Sequence, residues 1–229
     1  MRKTLMTTTA IALVSGAAMW LAATAGAQGG GTIEADVKYN GAPVVEKLKV
    51  NKDTEKCGTE AMIEKVVVGG NKGLANAVVS VPGAKGATAA KGVLDQHGCK
   101  FVPHVVVMQP GELEVKNSDD ILHNLHTYST ANPSINKAQP KFKKTMTEKL
   151  EKPEFVKVTC DVHSWMLGWV AVVPGPAGVT NADGVVKIEN VPAGKQKVEV
   201  WHETLGKMEK EVDVKAGGVT KVSFEMKGK

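Results

Sequence analysis

Alternation of apolar and polar residues with a period of two is the feature that most constrains how this chain can fold. Residues 32–39 alternate throughout. Further short runs rich in β-branched residues lie at 66–68, 77–81, 105–108, 113–115, 155–159 and 169–173. No stretch keeps the 3.6-residue apolar stripe of a helix for long enough to predict one. Successive short strands separated by turn residues are typical of a β-sandwich, so the sequence predicts an all-β fold.

Two connections between the predicted strands carry local signals of their own. Asn40-Gly41 predicts a β-hairpin directly after the first strand, because both residues tolerate the positive φ of a tight turn. Residues 132–152 are polar, lysine-rich and interrupted by Pro, which predicts a long surface connection with at most one turn of helix. The lysines between 137 and 152 would form a solvated face or attract an acidic partner.

The first 27 residues have the pattern of an export signal. Arg2 and Lys3 precede an apolar run at 10–23, and Ala25-Gly26-Ala27 is a cleavage motif. The run is shorter than the roughly 20 residues of a membrane span, so we expect a periplasmic or secreted protein with no span in its mature form. Cleavage leaves 202 of 229 residues and lowers the net charge from +5 to +3. That charge excludes a strongly basic nucleic-acid binder.

Three cysteines, Cys57, Cys99 and Cys160, lie beyond the signal and would fold in an oxidising compartment. Cys57 and Cys99 both adjoin Gly in polar, loop-like stretches, and we predict that they form a disulfide. Cys160 is then left over. A free thiol in such a compartment would be oxidised unless it is occupied, and a bound metal would occupy it.

A second unit is predicted after Pro174-Gly175-Pro176, where strand-like runs resume between Gly-containing turns. The chain is therefore expected to comprise a signal peptide at 1–27, a first domain at 28–174 and a second domain at 175–229. About 55 residues bury only a marginal core alone, so the second domain is expected to dock on the first.

Four side chains with metal-binding chemistry lie near predicted strand ends. Cys160, His163 and Met166 share one short loop, and His123 lies upstream of them. A thiolate, two imidazoles and a thioether form a soft donor set that suits copper. A trigonal Cys-His-His plane with a long axial Met is typical of blue-copper electron-transfer sites. The sequence therefore predicts one mononuclear copper site.

The residues around this set resemble a known family. Residues 101–173 resemble the cupredoxins, and the stretch from Cys160 to Val173 is most similar to the short Cys-x-x-His-x-x-Met loop of the amicyanins. The resemblance implies a Greek-key β-sandwich that binds one copper ion. It implies that the equatorial ligands are His123, Cys160 and His163 and that the axial ligand is Met166. Asn124 matches the Asn of the cupredoxin His-Asn pair, which ties the ligand loops together without binding the metal.

The predicted second domain resembles another family. Residues 179–226 are similar to carboxypeptidase regulatory-like, or transthyretin-like, modules, which are small β-sandwiches. That resemblance implies a fold and little chemistry. The module would pack on the copper domain or present it to a partner.

These resemblances together imply an exported electron carrier that is not an enzyme. Electrons would pass through a partly exposed edge of His163, beside apolar residues such as Leu167. Similarity to the amicyanins implies a redox protein partner, either a c-type cytochrome or a periplasmic dehydrogenase. Two alternatives stay open, namely a non-redox β-sandwich scaffold and a protein for copper storage or delivery.

The other histidines are expected to lie outside the metal site. We expect His126 not to bind the metal, because residues three apart on a strand face opposite sides. His104, at a strand start, is expected to be structural. His97 and His202 are expected to face solvent.

Overall fold

The computed structural model describes residues 29–86 and 91–228. The predicted signal peptide at 1–27 lies outside these residues. Within them, no helix combines the length and apolar character that crossing a membrane requires.

The prediction of an all-β fold is confirmed. In chain order the strands are β1 (Gly31–Tyr39), β2 (Val44–Lys49), β3 (Glu60–Val66), β4 (Val78–Ser80), β5 (Gly92–His97), β6 (Lys100–Val102), β7 (Val105–Met108), β8 (Gly111–Asn117), β9 (His123–Tyr128), β10 (Asn136–Gln139), β11 (Thr145–Leu150), β12 (Glu154–Thr159), β13 (Leu167–Val172), β14 (Ala177–Val179), β15 (Val185–Val191), β16 (Gly194–His202), β17 (Gly206–Val214) and β18 (Val219–Met226). The described residues add only helix α1 (Thr54–Cys57) and a 3-10 turn at Gly70–Lys72.

The first sandwich consists of two sheets around one apolar core. Its five-stranded sheet has the order β10-β9-β12-β13-β7, and its four-stranded sheet has the order β11-β8-β5-β6. Leu94, Leu113, Leu125, Val156 and Val170 are fully buried between them. Each lies on the inward side of an alternating strand, because successive strand residues point to opposite faces.

The second sandwich is not built from residues 175–229 alone, in contrast to the predicted division of the chain at residue 174. One of its sheets has the order β15-β1-β18 and the other has the order β14-β4-β16-β17. Strands β1 and β4 come from residues assigned to the first domain, yet Ile33, Val37 and Val79 lie in one core with Val200 and Phe224. The first sandwich is therefore inserted between chain segments of the second. The strand pattern predicts β1 but does not reveal its distant partners.

Two local predictions are wrong. The strands that flank Asn40-Gly41 do not pair, because β1 pairs with β15 and β18 while β2 pairs with β3. The segment 132–152 contains β10 and β11 instead of a long irregular connection. In β11 the burial alternates strictly, with Met146 and Leu150 inside, and Glu148 is bonded to Lys137 at 2.7 Å. The charged Glu148 on the inward face thus hid a period of two.

The hairpin of β2 and β3, with α1 between its strands, reaches from the second sandwich across one end of the first. Its Leu48, Ala61 and Ile63 pack on the core of the first sandwich. Thr204, in the second sandwich, donates a hydrogen bond from Oγ1 to the carbonyl of Lys65 at 3.0 Å. The predicted disulfide between Cys57 and Cys99 is present and ties the tip of this hairpin to the first sandwich.

The two sandwiches pack on each other through an aromatic and apolar interface. The Trp201 ring stacks on Phe155 at 4.2 Å between centroids and meets Trp169 edge-on at 5.1 Å. Trp169 Nε1 donates to a carboxylate oxygen of Glu203 at 2.6 Å, and His104 contacts the other oxygen. His104 therefore has the structural role expected from the sequence.

The interleaved sheets predict that residues 175–229 do not fold alone. Without β1 the strands β15 and β18 have no central partner, and without β4 the strand β16 loses one neighbour. We expect the isolated segment to show collapsed amide dispersion in ¹H–¹⁵N NMR spectra. Co-expression with residues 29–84 should restore dispersion. Cooperative unfolding of the isolated segment would contradict this reading.

His202 generates a prediction about stability and pH. From the sequence, His202 is expected to face solvent. This expectation is wrong, because the residue is only 1% exposed. Burial lowers its pKa from 6.5 to about 4. The unfolded chain therefore takes up a proton within this window that the folded chain does not, so the free energy of unfolding falls as the pH drops from 6.5 to 4.

Between pH 6.5 and 4, we expect His202→Gln to reduce the fall in the free energy of unfolding by up to about 3 kcal/mol. Urea unfolding at neutral pH and near the lower end of the window measures it. His97→Gln is the matched control, because the His97 side chain is 68% exposed. Equal pH dependence in His202→Gln and the unaltered protein would refute the assignment.

Candidate metal centre

Antiparallel pairing brings the predicted ligands to one end of the first sandwich. His123 begins β9, and Cys160 directly follows β12. Thr159, the last residue of β12, pairs with His126 on β9 and with Leu167 on β13. The loop between β12 and β13, which carries Cys160, His163 and Met166, therefore folds over the start of β9.

His123, Cys160 and His163 form a buried cluster. Their ligand atoms all lie within 4.8 Å of one another. The two Nδ1 atoms of the histidines are 3.0 Å apart, and Cys160 Sγ is 3.8 Å from His163 Nδ1. Both histidines are 0% exposed and Cys160 is 2% exposed. The structure thus brings together three of the four predicted ligand side chains.

The outer nitrogen of each imidazole meets a carboxylate. His123 Nε2 lies 2.9 Å from Asp119 Oδ2, and His163 Nε2 lies 2.9 Å from Asp53 Oδ2. An ionised carboxylate only accepts hydrogen bonds, so each Nε2 carries the proton. The unprotonated Nδ1 atoms then direct their lone pairs at the same space as Cys160 Sγ. A cation between them satisfies all three donors, which fits a bound metal ion.

Met166 is buried in the loop that also carries Cys160 and His163, and its role as a ligand stays a prediction. The residue is 1% exposed and lies in the same apolar cluster as Cys160 and Trp165. Its backbone amide donates to the carbonyl of His163 at 2.9 Å, which closes the loop. Trp165 covers the cluster from one side, with its ring centroid 5.1 Å from that of His163.

Asn124 connects the two ligand segments. Its backbone amide donates to Cys160 Sγ at 3.3 Å, and its side-chain oxygen accepts from the amide of Asp161 at 3.0 Å. Its side-chain nitrogen donates to Asn136 at 2.6 Å. These contacts hold β9 against the start of the ligand loop, which is the role that the resemblance implied for Asn124.

Burial sets the protonation of the cluster. It raises the pKa of the Cys160 thiol and lowers the pKa of His123, so the neutral forms are favoured. Burial also opposes ionisation of Asp119, but amide hydrogen bonds from Cys99 and Gly98 and the bond with His123 hold the pKa of Asp119 below its usual value. A cation that binds Cys160 replaces the thiol proton, because the thiolate is the metal-binding form.

A cap that the sequence did not predict covers His163. The edge expected to be partly exposed is fully buried, and this expectation is wrong. Asp53, directly before α1, has φ 50° and ψ 38°, a left-handed conformation that Asp tolerates. We call residues 52–58 the cap. The Cys57–Cys99 disulfide fixes its far end.

Asp53 and Asp119 were both missed as residues of the site. Asp119 lies four residues before His123, and this short spacing could have suggested that the two side chains meet. Asp53 is 110 residues from His163 in sequence. The predicted disulfide was the one available signal that its segment approaches the first sandwich.

The remaining histidine of this region lies outside the cluster. His126 bonds through Nδ1 to Asp161 at 2.8 Å and stacks on Tyr128, with 4.5 Å between ring centroids. Its ring is on the opposite face of β9 from His123, as strand geometry requires. The expectation that His126 is not a ligand agrees with this placement.

Comparisons with known proteins find similarity only among solved structures. No protein-family model matches the chain, and no curated protein matches its sequence. A Cu-containing nitrite reductase from Thermus scotoductus is 20% identical, with a TM-score of 0.33, over 39% of this chain and 24% of the reductase. The match thus spans about a quarter of the reductase.

Two small proteins are similar over nearly their whole length. A purple cupredoxin from Nitrosopumilus maritimus is 18% identical, with a TM-score of 0.30, over 36% of this chain and 98% of that protein. Amicyanin from Paracoccus versutus is 16% identical, with a TM-score of 0.32, over 41% of this chain and 96% of that protein. Since each match leaves most of this chain uncovered, the resemblance of residues 179–226 to transthyretin-like modules stays a prediction.

The bond between Asp53 and His163 predicts a single imidazole tautomer. In the metal-free protein we expect long-range ¹H–¹⁵N spectra to show His163 protonated at Nε2 alone. Asp53→Ala should give a mixture of tautomers and lower the free energy of unfolding by about 1–2 kcal/mol. Glu55→Ala, an exposed change in the same cap, is the control. An unchanged tautomer in Asp53→Ala would contradict the assigned hydrogen bond.

Proposed function

We propose that this protein binds one copper ion through His123, Cys160, His163 and Met166 and carries single electrons between redox proteins. The observation that carries the proposal is the convergence of one sulfur and two unprotonated imidazole nitrogens within 4.8 Å in a buried site. The thioether of Met166, which is buried in the same loop, would complete a donor set suited to both oxidation states of copper. Copper bound there would supply the one-electron redox chemistry.

The chain's own residues would keep the site nearly unchanged during electron transfer. Asp119 and Asp53 fix the tautomers and ring orientations of the two histidines, as outer carboxylates do in other metal sites. Asn124 donates to the sulfur of Cys160 and so stabilises its thiolate form. Buried Trp165 excludes water from the cluster.

We propose an electron carrier and not an enzyme. The three clustered ligand side chains are at most 2% exposed, so a substrate has no open path to them. Within the described residues, no second cluster of metal-binding side chains accompanies this one. Both features suit a protein that exchanges electrons without binding a small molecule.

Copper storage or delivery is the second candidate, and the covered edge of His163 favours it. A store needs tight retention and gains nothing from rapid electron exchange. Electron self-exchange between oxidised and reduced protein, measured by NMR line broadening, separates the two functions. Rapid self-exchange would exclude storage as the main role.

The cellular setting is part of the same proposal. An export signal at 1–27 would place the protein in the periplasm or outside the cell. The predicted disulfide is present between Cys57 and Cys99, which suits an oxidising compartment. A c-type cytochrome or a periplasmic dehydrogenase would be the partner.

Copper binding is tested by adding Cu(II) to the metal-free protein. We expect one equivalent to bind and to produce an intense thiolate-to-copper charge-transfer band. Cys160→Ser should abolish this band, and Met166→Leu should shift it while retaining it. Met108→Leu serves as the control, since Met108 is buried but lies away from the ligand loop. A colourless protein, or binding without a fixed ratio, would refute the proposal.

A further inference from the structure

The cap is poorly suited as a docking surface. It holds His163 away from solvent through Asp53, and the Cys57–Cys99 disulfide anchors it. Its charges balance, with Lys52 and Lys56 against Asp53 and Glu55. A charge-balanced surface gives little long-range attraction to a partner of either sign.

His123, the other histidine of the cluster, lies near a different part of the protein surface. His123 Nε2 bonds to Asp119, whose side chain is 15% exposed. Leu122, the residue before His123, is 42% exposed although it is apolar. A short path of bonded atoms thus runs from the buried cluster through Asp119 to solvent.

A lysine-rich turn lies beside this path. Gln139, the last residue of β10, pairs with His123, so the turn at 140–144 begins next to the metal cluster. Asn117 fixes the turn against the loop at 118–122, because its side-chain nitrogen donates to the carbonyls of Ile121 at 3.0 Å and Gln139 at 2.9 Å. Lys144 Nζ donates to the carbonyl of Asp119 at 3.2 Å.

The turn presents an apolar centre with a positive rim. Phe142 is 82% exposed, the highest value among the exposed large apolar residues in the described part of the chain. Lys141, Lys143 and Lys144 surround it in sequence and are all exposed. Asp120, which contacts Lys144, offsets one of these charges. An exposed aromatic residue within a rim of one sign is typical of an interface that opposite charge recognises.

The second sandwich leaves this surface open. In the five-stranded sheet β10 is at one edge and β7 is at the other. The interface with the second sandwich includes Val105 of β7 together with Ala171 and Trp169 of β13. The turn after β10 therefore lies at the edge farthest from that interface.

We propose that the electron-exchange surface is formed by Leu122, Phe142 and Lys141, Lys143 and Lys144, on the His123 side of the site. We call this the lysine surface, and its assignment rests on the proposed function. Its partner is a redox protein with an acidic rim around an apolar contact. One electron passes through His123 and Asp119, with no bond formed or broken.

Small redox ions of opposite charge test where on the protein surface electrons are exchanged. Hexacyanoferrate(III) and tris(phenanthroline)cobalt(III) each take one electron from the reduced copper protein and become the divalent-metal complexes. We expect Lys141→Glu/Lys143→Glu to slow the reaction with the anion about threefold to tenfold at low ionic strength and to speed the reaction with the cation. General damage to the fold would not produce effects of opposite sign.

The matched control changes the same number of charges on the cap. Lys52→Glu/Lys56→Glu should leave both rates within about twofold of the unaltered protein. If the cap variant shows the opposite-sign pattern, or if the two variants respond equally, the lysine surface is not the exchange surface. The charge-transfer band of each variant is recorded first, because its absence in the unaltered protein refutes the proposed function instead.

A protein probe tests the class of partner. Cytochrome c with succinylated lysines presents an acidic surface, and the unmodified protein presents a basic one. We expect the succinylated form to react faster with the unaltered protein. Lys141→Glu/Lys143→Glu should remove that advantage, whereas Phe142→Ser, which removes the apolar contact, should slow the reaction with both forms. A preference for unmodified cytochrome c would overturn the proposed partner chemistry.

Discussion

Two hydrogen bonds, one from His163 to Asp53 and one from His123 to Asp119, determine the chemistry of the candidate site. Because each carboxylate accepts a hydrogen bond from the N–H of an outer nitrogen, both inner nitrogens are unprotonated, and their lone pairs face each other 3.0 Å apart. Two facing lone pairs repel each other unless a cation lies between them. Two carboxylates outside the cluster therefore leave its inner nitrogens free to bind a cation.

The disulfide makes the two carboxylates interdependent. Asp53 lies four residues before Cys57, and Asp119 accepts hydrogen bonds from the amides of Gly98 at 2.8 Å and Cys99 at 2.9 Å. One covalent link therefore holds both segments that support the histidines. This arrangement explains why the loop between β2 and β3, in a hairpin whose outer ends join the second sandwich, belongs to the candidate metal centre of the first.

The sequence marked the side chains that cluster, His123, Cys160 and His163, but not the residues that surround them. Cys160, His163 and Met166 share one loop, so local spacing was enough to mark them. The disulfide and the alternating strand β1 followed from residue type and period. Asp53 could not be found because a contact across 110 residues leaves no periodic signal. The partners of β1 were missed for the same reason, since pairing across a chain depends on the completed core.

The parallel pairing of β1 with β18 has a consequence for the order of assembly. Thr32 pairs with Val219, so the central strand of the sheet gains this partner only after residues 219–226 have been synthesised. The first sandwich uses strands between Gly92 and Val172 and has its pairing partners sooner. Because contacts between residues far apart in sequence form slowly, we expect the second sandwich to complete its folding after the first. His123, Cys160 and His163 are thus brought together early, and the hairpin that carries Asp53 gains its full anchorage only when β1 has paired with β18.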